Sequence, residues 1–149
     1  MAMQKTVLGT AVAIIGLAAT VLSVLAVLTA TQTFNNAATV KTVGVGVYSD
    51  SACTQKVTSI DWETLAPGEN KTKTVYVKNE GSTRILLSMS VGNWTPSGAA
   101  NYMNVTWNCQ GSSLNAGASL SAVFTLSVSQ TITGITSFTF DITIVGTEF

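Results

Sequence analysis

Residues 72–79, Thr-Lys-Thr-Val-Tyr-Val-Lys-Asn, alternate in polarity: Val75 and Val77 fall on one face, and Lys73 and Lys78 lie in the polar flanks. Successive side chains of a strand point to opposite faces, so a period of two predicts a half-buried β-strand here. The stretch ends in Asn79-Glu80-Gly81, a turn signal whose Asn and Gly tolerate the positive φ a tight turn needs. It is preceded by Ala66-Pro67-Gly68-Glu69-Asn70, a second turn signal.

The same period extends in both directions. Upstream, Val43, Val45 and Val47 alternate with Gly44 and Gly46, and residues 57–62 form another candidate strand. Gly44 and Gly46 inside a strand pattern mark a close backbone approach or a bulge. Downstream, residues 84–91, 103–108, 119–129 and 137–145 complete the set, with 119–129 long enough to bend or split. Turn clusters at 95–98 and 110–113 separate them. About seven short strands without a helical pattern among them predict an antiparallel β-sandwich. Trp62, Trp94, Trp107, Phe124, Phe138 and Phe140 supply its large core side chains.

The chain has 149 residues, of which 46% are hydrophobic and 9% charged, against about 25% charged in an ordinary domain. Seven basic and seven acidic residues cancel. That balance leaves no basic patch for nucleic acid. A surface solvated by Ser, Thr and Asn offers little charge repulsion and tolerates self-association.

No charged residue occurs between Thr6 and Val40, and residues 7–30 are continuously apolar. As a helix these 24 residues would measure roughly 36 Å, enough to cross a bilayer core. A signal-peptide core is usually about 7–15 residues, so a retained helix is favoured over a removed one. The best cleavage signal, Val24-Leu25-Ala26, lies inside the run. Lys5 and the amino terminus precede it, which predicts export of everything after Ala30. Gly9, Ala13, Gly16, Ala19, Thr20, Ser23, Ala26 and Ala30 draw a face of small residues along this helix. Small residues four apart let helix backbones approach closely. Residues 31–42 follow as a polar connector that extends the helix, acts as a tether, or lies along a sheet edge as an added strand. The expected organisation is therefore a helix over 1–30, a connector over 31–42 and a β-domain over 43–149.

Leu65-Ala66-Pro67-Gly68-Glu69, followed by Thr74-Val75-Tyr76-Val77-Lys78-Asn79-Glu80-Gly81, resembles the "L-x-P-G-E … V-x-V-x-N-x-G" stretch of Ig-like modules on prokaryotic, especially archaeal, surface proteins. The resemblance covers about 17 residues and implies an Ig-like fold and a cell-surface location. The whole layout is similar to archaeal type IV pilins and archaellum subunits. In those families the N-terminal helices bundle into a filament core and the β-domains coat it. The chain departs from their leader-peptidase pattern, because Leu8 rather than a basic–small pair precedes Gly9. A weaker resemblance is to matrix fibres whose Ig-like subunits are joined by donated N-terminal strands, a role open to residues 31–42.

Cys53 and Cys109 form an even pair in an exported domain, which predicts a disulfide worth roughly 4 kcal/mol, with two buried free thiols as the alternative. Three N-x-[ST] sequons begin at Asn70, Asn93 and Asn104, and Asn70 beside its Pro-Gly turn is the best glycosylation candidate. About two sequons are expected by chance at this composition, so their number alone carries no weight.

There is no histidine, so neither a Ser-His-Asp nor a Cys-His arrangement exists, and two cysteines are too few for a structural zinc. The carboxylates Asp50, Asp61, Glu63, Glu69, Glu80, Asp141 and Glu148 are scattered. Asp61 and Glu63 fit solvated or edge-protecting charges better than a calcium site or a glycosidase-like pair. No cofactor is called for.

Three functions remain as expectations. The first is a non-enzymatic, pilin-like subunit of an extracellular homopolymer, inserted in the membrane before assembly. The second is a single-pass anchored adhesion or binding module. The third is a secreted matrix-fibre subunit that polymerises by strand donation.

Overall fold

The computed structural model describes residues 34–149. The expected helix over 1–30 and its small-residue face lie outside the described residues. Among those described there are nine strands: β1 (Phe34–Val43), β2 (Val45–Tyr48), β3 (Ser59–Leu65), β4 (Asn70–Asn79), β5 (Ile85–Thr95), β6 (Met103–Trp107), β7 (Ser113–Leu114), β8 (Ser119–Val128) and β9 (Ser137–Glu148). A 3-10 turn, Ser97–Asn101, links β5 to β6.

The chain is mainly β, in two sheets. One is five-stranded in the order β3-β1-β9-β5-β7, and the other four-stranded in the order β2-β4-β8-β6. Every ladder is antiparallel except β1–β9, which is parallel. Period-two patterning sets which face is buried. In β8, Ala122, Phe124, Leu126 and Val128 are buried, and in β9, Phe138, Phe140, Ile142 and Ile144 are. These side chains join Trp62, Leu65, Val75, Val77 and Leu87 in one hydrophobic cluster fed by both sheets. Each large apolar side chain fully buried there contributes roughly 1.5–3 kcal/mol.

The seven expected strands all have counterparts, and β7 and β1 are additions. Residues 119–128 form a single strand, with no split. The connector over 31–42 is corrected. From Phe34 onward it is β1, and it lies inside the five-stranded sheet instead of along an edge or in a tether. Among the described residues the β-structure therefore includes 34–43 as well as the residues from 43 onward. Val43, Val45 and Val47 do not share one strand: the chain leaves the five-stranded sheet at Val43 and enters the four-stranded sheet at Val45. Gly44 makes that step at φ +73°, and a Cβ there would stand 3.1 Å from the Gly146 carbonyl oxygen. Glycine is favoured on both counts.

Candidate functional site

The slot filled by β1 is the most distinctive feature of the fold. On one side β1 pairs antiparallel with β3, Ala38 opposite Ile60, with a register shift between Asn36 and Ala37. On the other it pairs in parallel with β9 from Asn35↔Ser137 to Val43↔Val145, Ala38 falling opposite Phe140. Asn36, Ala38 and Val40 are buried, whereas Ala37 and Thr39 are exposed. Small inward side chains suit a strand between bulky neighbours. Trp62 of β3 and Phe140 of β9 stack with centroids 6.4 Å apart, although a whole strand separates their backbones. A methyl side chain at Ala38 leaves the room for that contact.

The aromatic layer continues along the sheet. Trp94 of β5 stacks on Phe140 at 4.3 Å and lies 6.1 Å from Phe138. Such pairs add roughly 0.5–1.5 kcal/mol beyond their buried area. The Trp62 indole N–H, fully buried, meets no acceptor among the described residues.

The expected Cys53–Cys109 disulfide is not formed, and both thiols are free. Cys53 follows β2 and Cys109 follows β6, the two opposite edges of the four-stranded sheet. With β4 and β8 between those edges, the separation is about 14 Å, far beyond disulfide reach. Cys53 is half-buried, in a loop where the Asp50 carboxylate accepts from the Thr54 N–H, the Thr54 hydroxyl and the Gln55 N–H. Those bonds, that to Gln55 first, hold the Asp50 carboxyl below its ordinary value. Cys109 is buried, donates towards the Asn108 side chain and the Ser121 carbonyl, and has its thiol pushed up by burial.

The three sequon asparagines are all exposed. Asn70 opens β4 and Asn104 lies in the edge strand β6, both opposite Ser127 of β8. Asn93 is in the irregular stretch of β5 at φ +54°, and its side-chain amide donates to Asp141 at 2.6 Å. An open depression of about 300 Å³ lies beside Asn104, lined also by Tyr102, Met103, Ser127 and Ser129.

Most of the carboxylates are engaged locally. Glu63 bridges the sheets, pairing with Lys71 at 2.9 Å and Lys73 at 2.7 Å, both from β4. The Lys73 hydrogen bond, then that of Lys71, holds the Glu63 carboxyl down at about 2. Asp61 accepts from the Glu63 N–H instead of facing a shared site. Glu69 caps the Pro-Gly turn by accepting from the Ala66 N–H. Glu80 accepts from the Tyr48 hydroxyl and pairs with Lys56. The bond to Glu80 pushes the Tyr48 phenol up to about 12. Among the described residues no group of three or more acidic, Cys or His side chains is placed to hold a metal.

Two features were missed in the sequence. The Asn36-Ala37-Ala38-Thr39-Val40 stretch is too weakly apolar to announce an interior strand. Asn79 reads as a turn residue, yet it is fully buried. Its amide donates to the carbonyls of Thr83 and Leu114, and its oxygen accepts from the Gly81 N–H. Among known proteins, no family model and no curated protein matches this chain.

Proposed function

We propose that the chain is a structural subunit of an extracellular filament, with an Ig-like β-sandwich as its body and β1 as the segment that joins one copy to the next. The observation that carries this reading is the position of β1. It is an interior strand bonded along both edges, yet a single residue, Gly44, separates it from β2 in the chain. Withdrawal of β1 would expose two rows of unpaired backbone groups on β3 and β9. A second copy's β1 carries the same groups and the same small inward side chains, so it can complete the sheet in the same register. Short hinges favour such exchange. A head-to-tail exchange that does not close on itself yields a fibre. The neutral, hydroxyl-rich surface adds no repulsion between copies.

The pilin-like alternative places residues 7–30 in a helical filament core, and the anchored-module alternative leaves the protein monomeric in the membrane. One experiment separates the three. Ala37 and Thr139 are exposed partners in the β1–β9 ladder, at a spacing within disulfide range. Ala37→Cys with Thr139→Cys, in a background of Cys53→Ser and Cys109→Ser, is oxidised in material sheared from cells. Filaments that run as a covalent ladder on non-reducing gels are expected. Filaments that run as monomers and keep residues 7–30 by N-terminal sequencing would establish the helix-core mode. In that case Gly16→Leu would block assembly. Monomer confined to the detergent-soluble membrane fraction would remove the filament reading.

A further inference from the structure

The outer face of the four-stranded sheet carries two sequons in one register. Asn70 of β4 and Asn104 of β6 both stand opposite Ser127, and Thr72 and Thr106, their hydroxyl partners, both stand opposite Thr125. β4 and β6 each run antiparallel to β8 and hence parallel to one another. The two Asn-x-Thr motifs therefore lie side by side and point the same way, about 10 Å apart across β8. Asn70, Thr72, Asn104 and Thr106 are all exposed, and their rows hold no charged side chain. Among the described residues neither the Asn70 nor the Asn104 carboxamide is engaged in a hydrogen bond. Asn93 differs in each respect: it sits on the other sheet, in left-handed backbone, with its amide held by Asp141.

We infer that Asn70 and Asn104 both carry N-linked glycans, while Asn93 stays unmodified, so that the outer face of the four-stranded sheet is the sugar-coated side of the subunit. The donor is a lipid-linked oligosaccharide. The carboxamide nitrogen forms a bond to the anomeric carbon, and the bond from that carbon to the lipid phosphate oxygen breaks. The phosphate leaves with the electron pair, and the amide proton passes to a base of the transferase. The hydroxyl at the third position of each motif is supplied by Thr72 and Thr106.

The inference rests on the exported-subunit reading for access to the transferase. Protein is taken from the surface of its own cells, and its intact mass and glycopeptides are measured. Two glycans per chain are expected. Thr72→Val and Thr106→Val should each leave one, the double variant none, and Thr95→Val should still carry both. Unchanged thermal unfolding of the variants would show that the fold survives. Surface protein with Asn70 or Asn104 bare, or with a glycan on Asn93, would overturn the inference and leave export standing. Bare protein retained inside the cell would overturn both.

Discussion

In the four-stranded sheet, every ladder is antiparallel and the longer strands announce themselves. β4 and β8 alternate cleanly, and their partners follow in register from Asn70↔Ser127 to Lys78↔Ser119. The five-stranded sheet is built differently. Its strongest strand, β9, lies beside β1, whose buried residues are an asparagine, an alanine and one valine. β1 has little apolar surface of its own to specify its place. The aromatic side chains of β3 and β9 around it supply the burial, and their backbone groups supply the hydrogen bonds. One sheet is thus coded strand by strand, whereas the other depends on a strand whose position its neighbours decide.

Four substitutions or conditions test that contrast, from the largest expected effect to the smallest. Ala38→Arg places a charge between Ile60 and Phe140 at a site 1% exposed. The desolvation cost is several kcal/mol, enough to unfold a domain whose whole stability is about 5–15 kcal/mol. Denaturant unfolding followed by tryptophan fluorescence checks it, and a variant as stable as the parent would show that β1 is dispensable to the five-stranded sheet. Asn79→Ala, in the four-stranded sheet, leaves the Thr83 and Leu114 carbonyls and the Gly81 N–H without their side-chain partner. The expected loss is about 3 kcal/mol, read from the shift in denaturant midpoint at constant m-value.

Gly44→Ala acts at the step between the sheets. The left-handed backbone costs a residue with a Cβ about 1–2 kcal/mol, and the Gly146 carbonyl must also yield. A drop in melting temperature with an unchanged circular dichroism spectrum is the expected result. The smallest effect belongs to the ionic bridge between the sheets. The Glu63 carboxyl, held at about 2 against an ordinary 4.5, favours the folded state above the ordinary value. That contribution is lost as pH falls from about 4.5 towards about 2. Glu63→Gln should flatten the melting temperature over this window. A residual acid slope is expected from Glu80 and Asp50, whose carboxyls are also held low.

The same contrast explains what was legible beforehand. β4, β8 and β9 were readable because each buries its own alternate side chains, a local property. The free thiols were not, because an even cysteine count says nothing about which sheet edge each residue reaches. Two intervening strands decide against that pairing. The register of the two sequons was equally hidden: Asn70 and Asn104 become neighbours only because both strands pair with β8. Asn93 was indistinguishable from Asn104 until the irregular end of β5 brought its amide to Asp141.

By itself the sequence determined a β-rich domain with one face of each long strand buried, turns at its Pro, Gly and Asn clusters, and a near-uncharged surface. Side-chain period and composition act over a few residues, so they survive without knowledge of the fold. Only the tertiary structure decided that residues 34–43 sit inside a sheet, that Gly44 carries the chain from one sheet to the other, and that Asn79 is buried. Those outcomes depend on pairing between segments distant in sequence, where the free energy of burial belongs to the partners jointly and to none of them alone.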